Sequence, residues 1–226
     1  MYWILFIGIA ILSYIVQANL QRKFKKYSEV PLGNGMTGKE VAEKMLHDHR
    51  IYNVSVISTP GQLTDHYNPT DLTVNLSENV YNSTSVAAAA VAAHECGHAV
   101  QHAVAYGPLT MRSALVPVVS FASQWVQWVL LAGILLVQSF PGILLAGVVL
   151  FALTTIFSFV TLPVEIDASR RATAWLSKAG ITNFSNHTMA VDALRSAAYT
   201  YVIAALSSLA TLIYYVMILM GNQRDD

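Results

Sequence analysis

Charged side chains are scarce in this sequence: Asp, Glu, Lys and Arg together make up 12% of its 226 residues. Ordinary soluble domains carry about twice that fraction. Basic and acidic residues balance at 13 each, so the chain also lacks the basic excess that is typical of nucleic-acid-binding proteins. The composition therefore argues against a soluble domain and gives no indication of a nucleic-acid partner.

Two further absences limit the interpretation. Cys96 is the single cysteine, so no disulfide can form within the chain. No basic residue precedes the first apolar run, whereas the basic stretch QRKFKK follows it. A cleaved signal peptide has the opposite order. The run is therefore predicted to be a retained membrane anchor, with its N-terminus on the side away from the basic stretch.

Long apolar runs account for much of the rest of the chain, of which 54% is hydrophobic. A helix that spans a membrane needs about 20 mostly apolar residues. The last three runs satisfy this requirement easily, and the first is slightly short. The sequence thus predicts a multi-pass integral membrane protein. Its predicted spans are about 2–20, 114–137, 142–164 and 199–220.

The basic residues indicate how these spans are oriented. Twelve of the 13 lie in the two connecting loops, 21–113 and 165–198, and only Arg224 lies elsewhere. Because basic residues concentrate on the cytoplasmic side of membranes, both loops are predicted to be cytoplasmic and both termini to lie outside. The twelve are Arg22, Lys23, Lys25, Lys26, Lys39, Lys44, Arg50, Arg112, Arg170, Arg171, Lys178 and Arg195.

The first loop has local signals for a small mixed unit. TGKE, which begins at Thr37, has the spacing of a capping box and predicts a helix over Gly38–His47. Alternating stretches predict strands at Val54–Thr59 and Leu72–Leu76, the second being either an edge strand that binds extended peptide or part of the sheet core. An alanine-rich helix is predicted from Ser85 to about Ala105.

That alanine-rich helix carries the motif H-E-x-x-H as His94, Glu95 and His98. Residues four apart lie on one face of a helix, about 5–6 Å apart, so the two imidazoles can bind one tetrahedral Zn²⁺. Zinc lowers the pKa of its bound water to about 7, and Glu95 is placed to take the proton and return it to a leaving amine. The alternative is a helix whose histidines only satisfy hydrogen bonds in the core.

A catalytic zinc site needs a third protein ligand, and Glu165 is the preferred candidate. It lies where the third apolar run ends, on the same predicted side as the motif. An acidic residue at such a place is a functional hypothesis by default. Asp167 competes for the role, but it lies about 200° around a helix from Glu165, so only one of the two faces the metal. Alternatively, both acids pair with Arg170 or Arg171.

Two other positions bear on the third ligand. His102 continues the stripe of His94 and His98 but lies about 12 Å along the helix from His94. It is therefore expected to be an outer or surface residue. Val104 occupies the position where the longer metalloprotease motif requires a third histidine, which excludes that class.

Candidate residues for the rest of a catalytic site come from the start of the fourth span. Arg195 and Tyr199 are four residues apart and are predicted to stabilise the oxyanion of a tetrahedral intermediate. His187 is a weaker candidate for the same task. The alternative for Arg195 is an ion pair with Asp192 or contact with lipid headgroups.

The segments DHYNP, LTVNLSENVYNSTSVAAAAVAAHECGHAVQH, LPVEIDASRRA and ALRSAAYTYVIAAL resemble the neutral zinc metallopeptidases of bacterial membranes. More distantly the chain is similar to the membrane gluzincins, which include CAAX prenyl proteases and heat-shock membrane proteases. The resemblance implies a bacterial plasma membrane protein with His94, His98 and Glu165 as ligands of Zn²⁺ and Glu95 as the base. Ser169 stands where the distant relatives have an aspartate. The resemblance therefore does not imply that a ligand histidine receives the same hydrogen-bonding support in this chain.

These observations predict a mainly α fold: four transmembrane helices with a cytoplasmic gluzincin-like catalytic unit that carries a small β-sheet. Residues 1–226 are expected to form a single membrane-embedded endopeptidase acting on a polypeptide, with membrane proteins among the expected substrates. The alternative is a catalytically inactive zinc-binding scaffold or chaperone. Glu95 favours the enzyme, because a structural site more often closes its fourth position with Cys or His. A transport function is weakest, since no acidic residue lies in the middle of a span.

Overall fold

Residues 2–222 are described by a computed structural model, with side chains from residue 6 to residue 221. Most of them are helical, and three short strands form one sheet. The helices are α1 (Tyr2–Ser28), α2 (Gly38–Asp48), α3 (Glu78–Tyr81), α4 (Val86–Ala103), α5 (Gly107–Leu135), α6 (Pro141–Lys178) and α7 (His187–Asn222). The strands are β1 (Ser55–Thr59), β2 (His66–Asn68) and β3 (Thr73–Ser77).

The capping box predicted for α2 is confirmed. The Thr37 hydroxyl accepts a hydrogen bond from the Glu40 amide, and the Glu40 carboxylate accepts one from the Thr37 amide at 2.8 Å. These two bonds satisfy amide groups that a helix start otherwise leaves unpaired. The apolar face that follows, Val41, Met45 and Leu46, is buried in the core beside α4.

The sheet has the order β1-β3-β2, with β3 parallel to β1 and antiparallel to β2. Both predicted strands are confirmed, each starting one residue later than expected. The interpretation of Leu72–Leu76 as an edge strand is wrong, because β3 has partners on both sides. β2 was not predicted, since its three residues are too few to show an alternating pattern.

Three helices, α5, α6 and α7, are long and apolar enough to cross a membrane. In their most apolar stretches only 6–22% of the residues are buried inside the protein. Apolar side chains therefore face outward in these helices, which suits a lipid environment. The first apolar run forms most of α1, which is not among the helices that meet this criterion within the described residues. Its membrane crossing stays a prediction.

A group of polar contacts fastens α1 to α7. The Lys23 ammonium donates to Asp192 Oδ1 at 2.7 Å and to the Ser196 hydroxyl at 2.9 Å, and the Tyr27 hydroxyl donates to Asp192 Oδ2 at 2.7 Å. Burial acts to raise the pKa of Asp192, but the bonds from Lys23 and Tyr27 outweigh it and lower that pKa. The hydrogen bond to Asp192 in turn raises the pKa of Tyr27 to about 12. Asp192 thus pairs chiefly with Lys23.

The closest contact between α4 and α6 occurs at Gly97. A Cβ atom on this glycine would lie 2.7 Å from the carbonyl oxygen of Ala168 and 3.1 Å from its Cα. On a different side of α4, Cys96 is fully buried, with its Sγ 3.5 Å from the carbonyl oxygen of Ala42 in α2. Burial raises the pKa of the Cys96 thiol well above its usual value, so this thiol is an inert filler of the core.

The contact at Gly97 makes a testable prediction about stability. Gly97→Ala should place a methyl group against the backbone of Ala168, where no flexible side chain can yield. Overpacking costs about 3 kcal/mol at its upper range, and the gain in helix propensity returns about 1 kcal/mol. The net loss of about 2 kcal/mol corresponds to a fall in Tm of about 4–8 °C in detergent.

Gly142→Ala is the matched control, because it lies in the first turn of α6 and a Cβ atom there would meet nothing within 4 Å. It should leave Tm unchanged or slightly higher. A Gly97→Ala variant as stable as the Gly142→Ala variant would contradict the proposed close packing.

Candidate metal centre

The helix α4 sets His94 and His98 side by side on the face that looks toward α6. Its start is fixed by Ser85, whose hydroxyl accepts a hydrogen bond from the Ala88 amide. The two imidazole rings are 4.8 Å apart between centroids and inclined at 83°. This is the arrangement expected of residues four apart on a helix. Their Nε2 atoms point toward the same carboxylate on α6.

That carboxylate belongs to Glu165, which is 4% exposed. Its Oε2 atom lies 3.3 Å from Nε2 of His94 and 3.7 Å from Nε2 of His98. One ligand atom from each of the three residues falls within 4.8 Å of the others. Two imidazole nitrogens and one carboxylate oxygen form a donor set that suits catalytic zinc and leaves a fourth coordination position open.

The electrostatics of this cluster favour a cation. Burial acts to lower the pKa of His98, but the hydrogen bond to Glu165 and the negative charge of Glu95 outweigh it, and the pKa of His98 is raised. Positive charge is therefore stabilised between the two carboxylates. A divalent cation placed there would compensate the buried charge of Glu165.

The competing candidates for the third ligand have other partners. Asp167 forms an ion pair with Arg171 one turn further along α6, so the proposed pairing of the acids with arginine holds for Asp167. His102 is exposed, and its Nδ1 atom lies 2.7 Å from the Tyr67 hydroxyl. Neither residue joins the cluster, and Glu165 is the acid that the fold brings to the two histidines.

Each residue of the cluster also has a polar partner on the side away from the cluster. Such partners fix the orientation of a ligand and the position of its proton. The pairs are His94 Nδ1 with the Ser169 hydroxyl at 3.1 Å, His98 Nδ1 with Gln101 Oε1 at 3.0 Å, and Glu165 Oε1 with Arg112 Nη1 at 3.7 Å. Ser169 thus contacts His94, a candidate ligand, from the position where the distant relatives have an aspartate.

Glu95 lies beside the cluster and is 9% exposed. Its Oε2 atom accepts a hydrogen bond of 3.1 Å from the backbone amide of Tyr67 in β2. The same strand residue bonds His102 through its hydroxyl, so β2 is attached to α4 at two points. This connection has no signal in the sequence, because the three residues of β2 are too few to show an alternating pattern.

A cavity of about 720 Å³ opens onto the cluster. Its walls come from β2 and the loop after it, from α4, from the first turns of α5 and from one residue of α7. This size is within the usual range of ligand-binding pockets. Residues that define its extent include Tyr67, Pro69, Leu109, Arg112, Val116 and Tyr201.

The three catalytic candidates from the start of α7 do not line this cavity. Arg195 and Tyr199 are exposed, and His187 forms a hydrogen bond of 2.9 Å with the Thr182 hydroxyl. Tyr201, two residues beyond Tyr199, does line the cavity and lies beside Glu165. The face that α7 turns to the cavity depends on packing against α6, and the sequence contains no local signal for it.

The role of Glu165 can be tested by zinc binding. Glu165→Ala removes an oxygen ligand, so zinc affinity should fall by more than the 10–100-fold that loss of an outer partner typically costs. Glu43→Ala, which removes a half-exposed carboxylate from α2, is the control and should bind zinc as the wild type does. Equal affinity of the Glu165→Ala variant and the wild type would transfer the ligand role to Asp167 or His102.

Comparison with known proteins agrees with this geometry. The family profile described as "Putative neutral zinc metallopeptidase" matches residues 2–220. A protein of Bacillus subtilis (strain 168) described as "Putative membrane protease YugP" is 41% identical over 215 residues, which cover 95% of this chain and 94% of that protein. No solved structure matches the chain. The match along almost the whole length, together with the cluster on α4 and α6, shows that this chain belongs to the family of neutral zinc metallopeptidases.

Proposed function

We propose that this protein is a zinc-dependent membrane endopeptidase of the gluzincin type, which hydrolyses peptide bonds with Glu95 as general base and acid. The observation that carries the proposal is the convergence of His94, His98 and Glu165, whose ligand atoms lie within 4.8 Å of one another in a cavity that Glu95 also lines. Membership of the family supports the reaction class.

The residues around the cluster divide the chemistry between them. Zinc bound there would act as a Lewis acid and make a water molecule acidic enough to lose a proton at neutral pH. Glu95 uses one oxygen to accept the Tyr67 amide hydrogen, which holds the carboxylate in place and leaves its second oxygen to accept that proton. The same oxygen then passes the proton to the leaving amine.

Donors to the developing oxyanion are available on two other helices. Arg112 of α5 and Tyr201 of α7 both line the cavity beside Glu165. A guanidinium and a phenol at this place would stabilise negative charge on the carbonyl oxygen of the scissile bond. We favour these two over Arg195, Tyr199 and His187, because none of those three lines the cavity.

The expected substrate is a polypeptide close to a membrane. Ser113 and Val116 lie at the beginning of the predicted span in α5, Tyr201 lies near the beginning of that in α7, and all three line the cavity. The cavity therefore reaches the level where the apolar stretches begin. With both loops in the cytoplasm, as the basic residues predict, the reaction would take place at the cytoplasmic surface of a bacterial plasma membrane, on membrane proteins or their emerging segments.

The test of the enzymatic proposal is Glu95→Gln. The amide keeps the shape of the side chain but cannot take up a proton, so cleavage of a fluorescence-quenched casein in detergent should fall by at least about 10²–10⁴-fold while bound zinc is retained. Glu43→Gln is the control for the loss of a carboxylate elsewhere. Cleavage by the Glu95→Gln variant at the wild-type rate would instead favour the zinc-binding scaffold or chaperone.

The choice between the two tyrosines can be tested by comparing Tyr201→Phe with Tyr199→Phe. Each variant loses one hydroxyl from α7 and keeps the ring. If Tyr201 donates to the oxyanion, its loss should lower kcat by about 10²-fold with little change in KM and in bound zinc. Tyr199→Phe should cleave casein normally. The reverse result would return the role to Tyr199, as the sequence alone suggested.

A further inference from the structure

Gln101 is the one polar side chain of α4 that is completely buried within the described residues, with an exposure of 0%. Its amide nitrogen donates to the carbonyl oxygen of Val164 at 2.8 Å and to Oδ2 of Asp167 at 2.9 Å. Its amide oxygen lies 3.0 Å from Nδ1 of His98. A buried amide with all its partners on two helices satisfies the requirement that buried polar groups be paired.

These partners determine which way the amide faces. The nitrogen carries two hydrogens and points at two acceptors, the Val164 carbonyl and the Asp167 carboxylate, so the oxygen must face His98. An amide oxygen can only accept, and Nδ1 of His98 must therefore carry its proton. A neutral imidazole with the proton on Nδ1 has its lone pair on Nε2, the atom that points at Glu165.

The connection continues along α6. Asp167 is held by the ion pair with Arg171, and the Arg171 guanidinium lies over the ring of Tyr106, 5.7 Å from its centroid, at the wall of the cavity. Val164 and Asp167 flank Glu165 in the sequence. Gln101 thus forms hydrogen bonds to the turn of α6 that carries Glu165, and it also contacts His98.

We infer that Gln101 is a positioning residue for the metal centre. It fixes the tautomer of His98 and holds the α4 ligands in register with Glu165 through Val164 and Asp167. The inference rests on the metal site of the proposed function and assigns no contact between Gln101 and the metal or substrate. A residue that merely filled the space between two helices would affect folding but not the affinity of the folded protein for zinc.

The first test is the zinc dissociation constant of Gln101→Met in detergent, measured by competition with a chromophoric chelator well below Tm. Methionine has a similar volume but neither accepts from His98 nor donates to α6. Zinc should bind 10–100-fold more weakly, which is the typical cost of removing an outer partner. The visible spectrum of bound Co²⁺ should change as well. Thr155→Val, which removes another buried hydrogen-bonding group from α6, is the control and should bind zinc normally.

The second test moves the amide group from residue 101 on α4 to residue 167 on α6. In Gln101→Glu the carboxylate can still accept from His98, but it faces Asp167 and the Val164 carbonyl without a hydrogen to donate, so zinc affinity should fall. Adding Asp167→Asn gives the carboxylate an amide donor on α6, although the ion pair with Arg171 is lost, and should recover part of the zinc affinity that Gln101→Glu loses. The single and double variants also test the inference if Gln101→Met does not fold.

Two results would overturn the inference. One is a folded Gln101→Met variant that binds zinc as tightly as the wild type, and the other is a double variant that stays as weak as Gln101→Glu alone. Both leave the proposed peptidase intact, because zinc binding is measured independently of cleavage. A wild-type protein with no measurable zinc affinity would overturn the metal site itself, and the inference with it.

Discussion

The close approach of α4 to α6 at Gly97 is the contact on which the candidate site depends. Helices usually pack with their axes 8–10 Å apart, a separation set by the side chains between them. At Gly97 there is no side chain, and the carbonyl oxygen of Ala168 lies only 2.7 Å from the position that a Cβ atom would take. The two helices can therefore approach closely enough for Glu165 Oε2 to lie within 3.7 Å of both histidines.

Close packing alone would bring the ligand side chains together without fixing how they are oriented. The orientation comes from polar groups that contact the far side of each ligand, namely the Ser169 hydroxyl, the Gln101 amide and the Arg112 guanidinium. All three belong to helices, whose backbone positions are well defined. Because the interior has a low dielectric constant, the buried hydrogen bond between His98 and Gln101 is stronger than it would be in water.

Features with a local signal could be predicted from the sequence. The capping box of α2, the H-E-x-x-H motif and the acid at the end of the third apolar run depend on short spacings, and the structure places each as expected. Tyr67, Arg112 and Tyr201 could not be predicted, because their proximity to the site depends on tertiary packing. Tyr199 and Tyr201 illustrate the difficulty. Because they are two residues apart on a helix, their side chains point about 200° apart, and only one of them can face the cavity.

The three long apolar helices, α5, α6 and α7, also form part of the candidate site. Each provides a polar side chain beside the cluster or within it: Arg112 from α5, Glu165 from α6 and Tyr201 from α7. The loop 21–113 contains both histidines, Glu95 and the sheet, but it ends before Glu165 and Tyr201. A fragment without the apolar helices would lack Glu165 and the contact at Ala168 that aligns α4. The candidate metal centre and the apolar helices are therefore a single structural unit, which agrees with a family match that extends over residues 2–220 and is not confined to the motif.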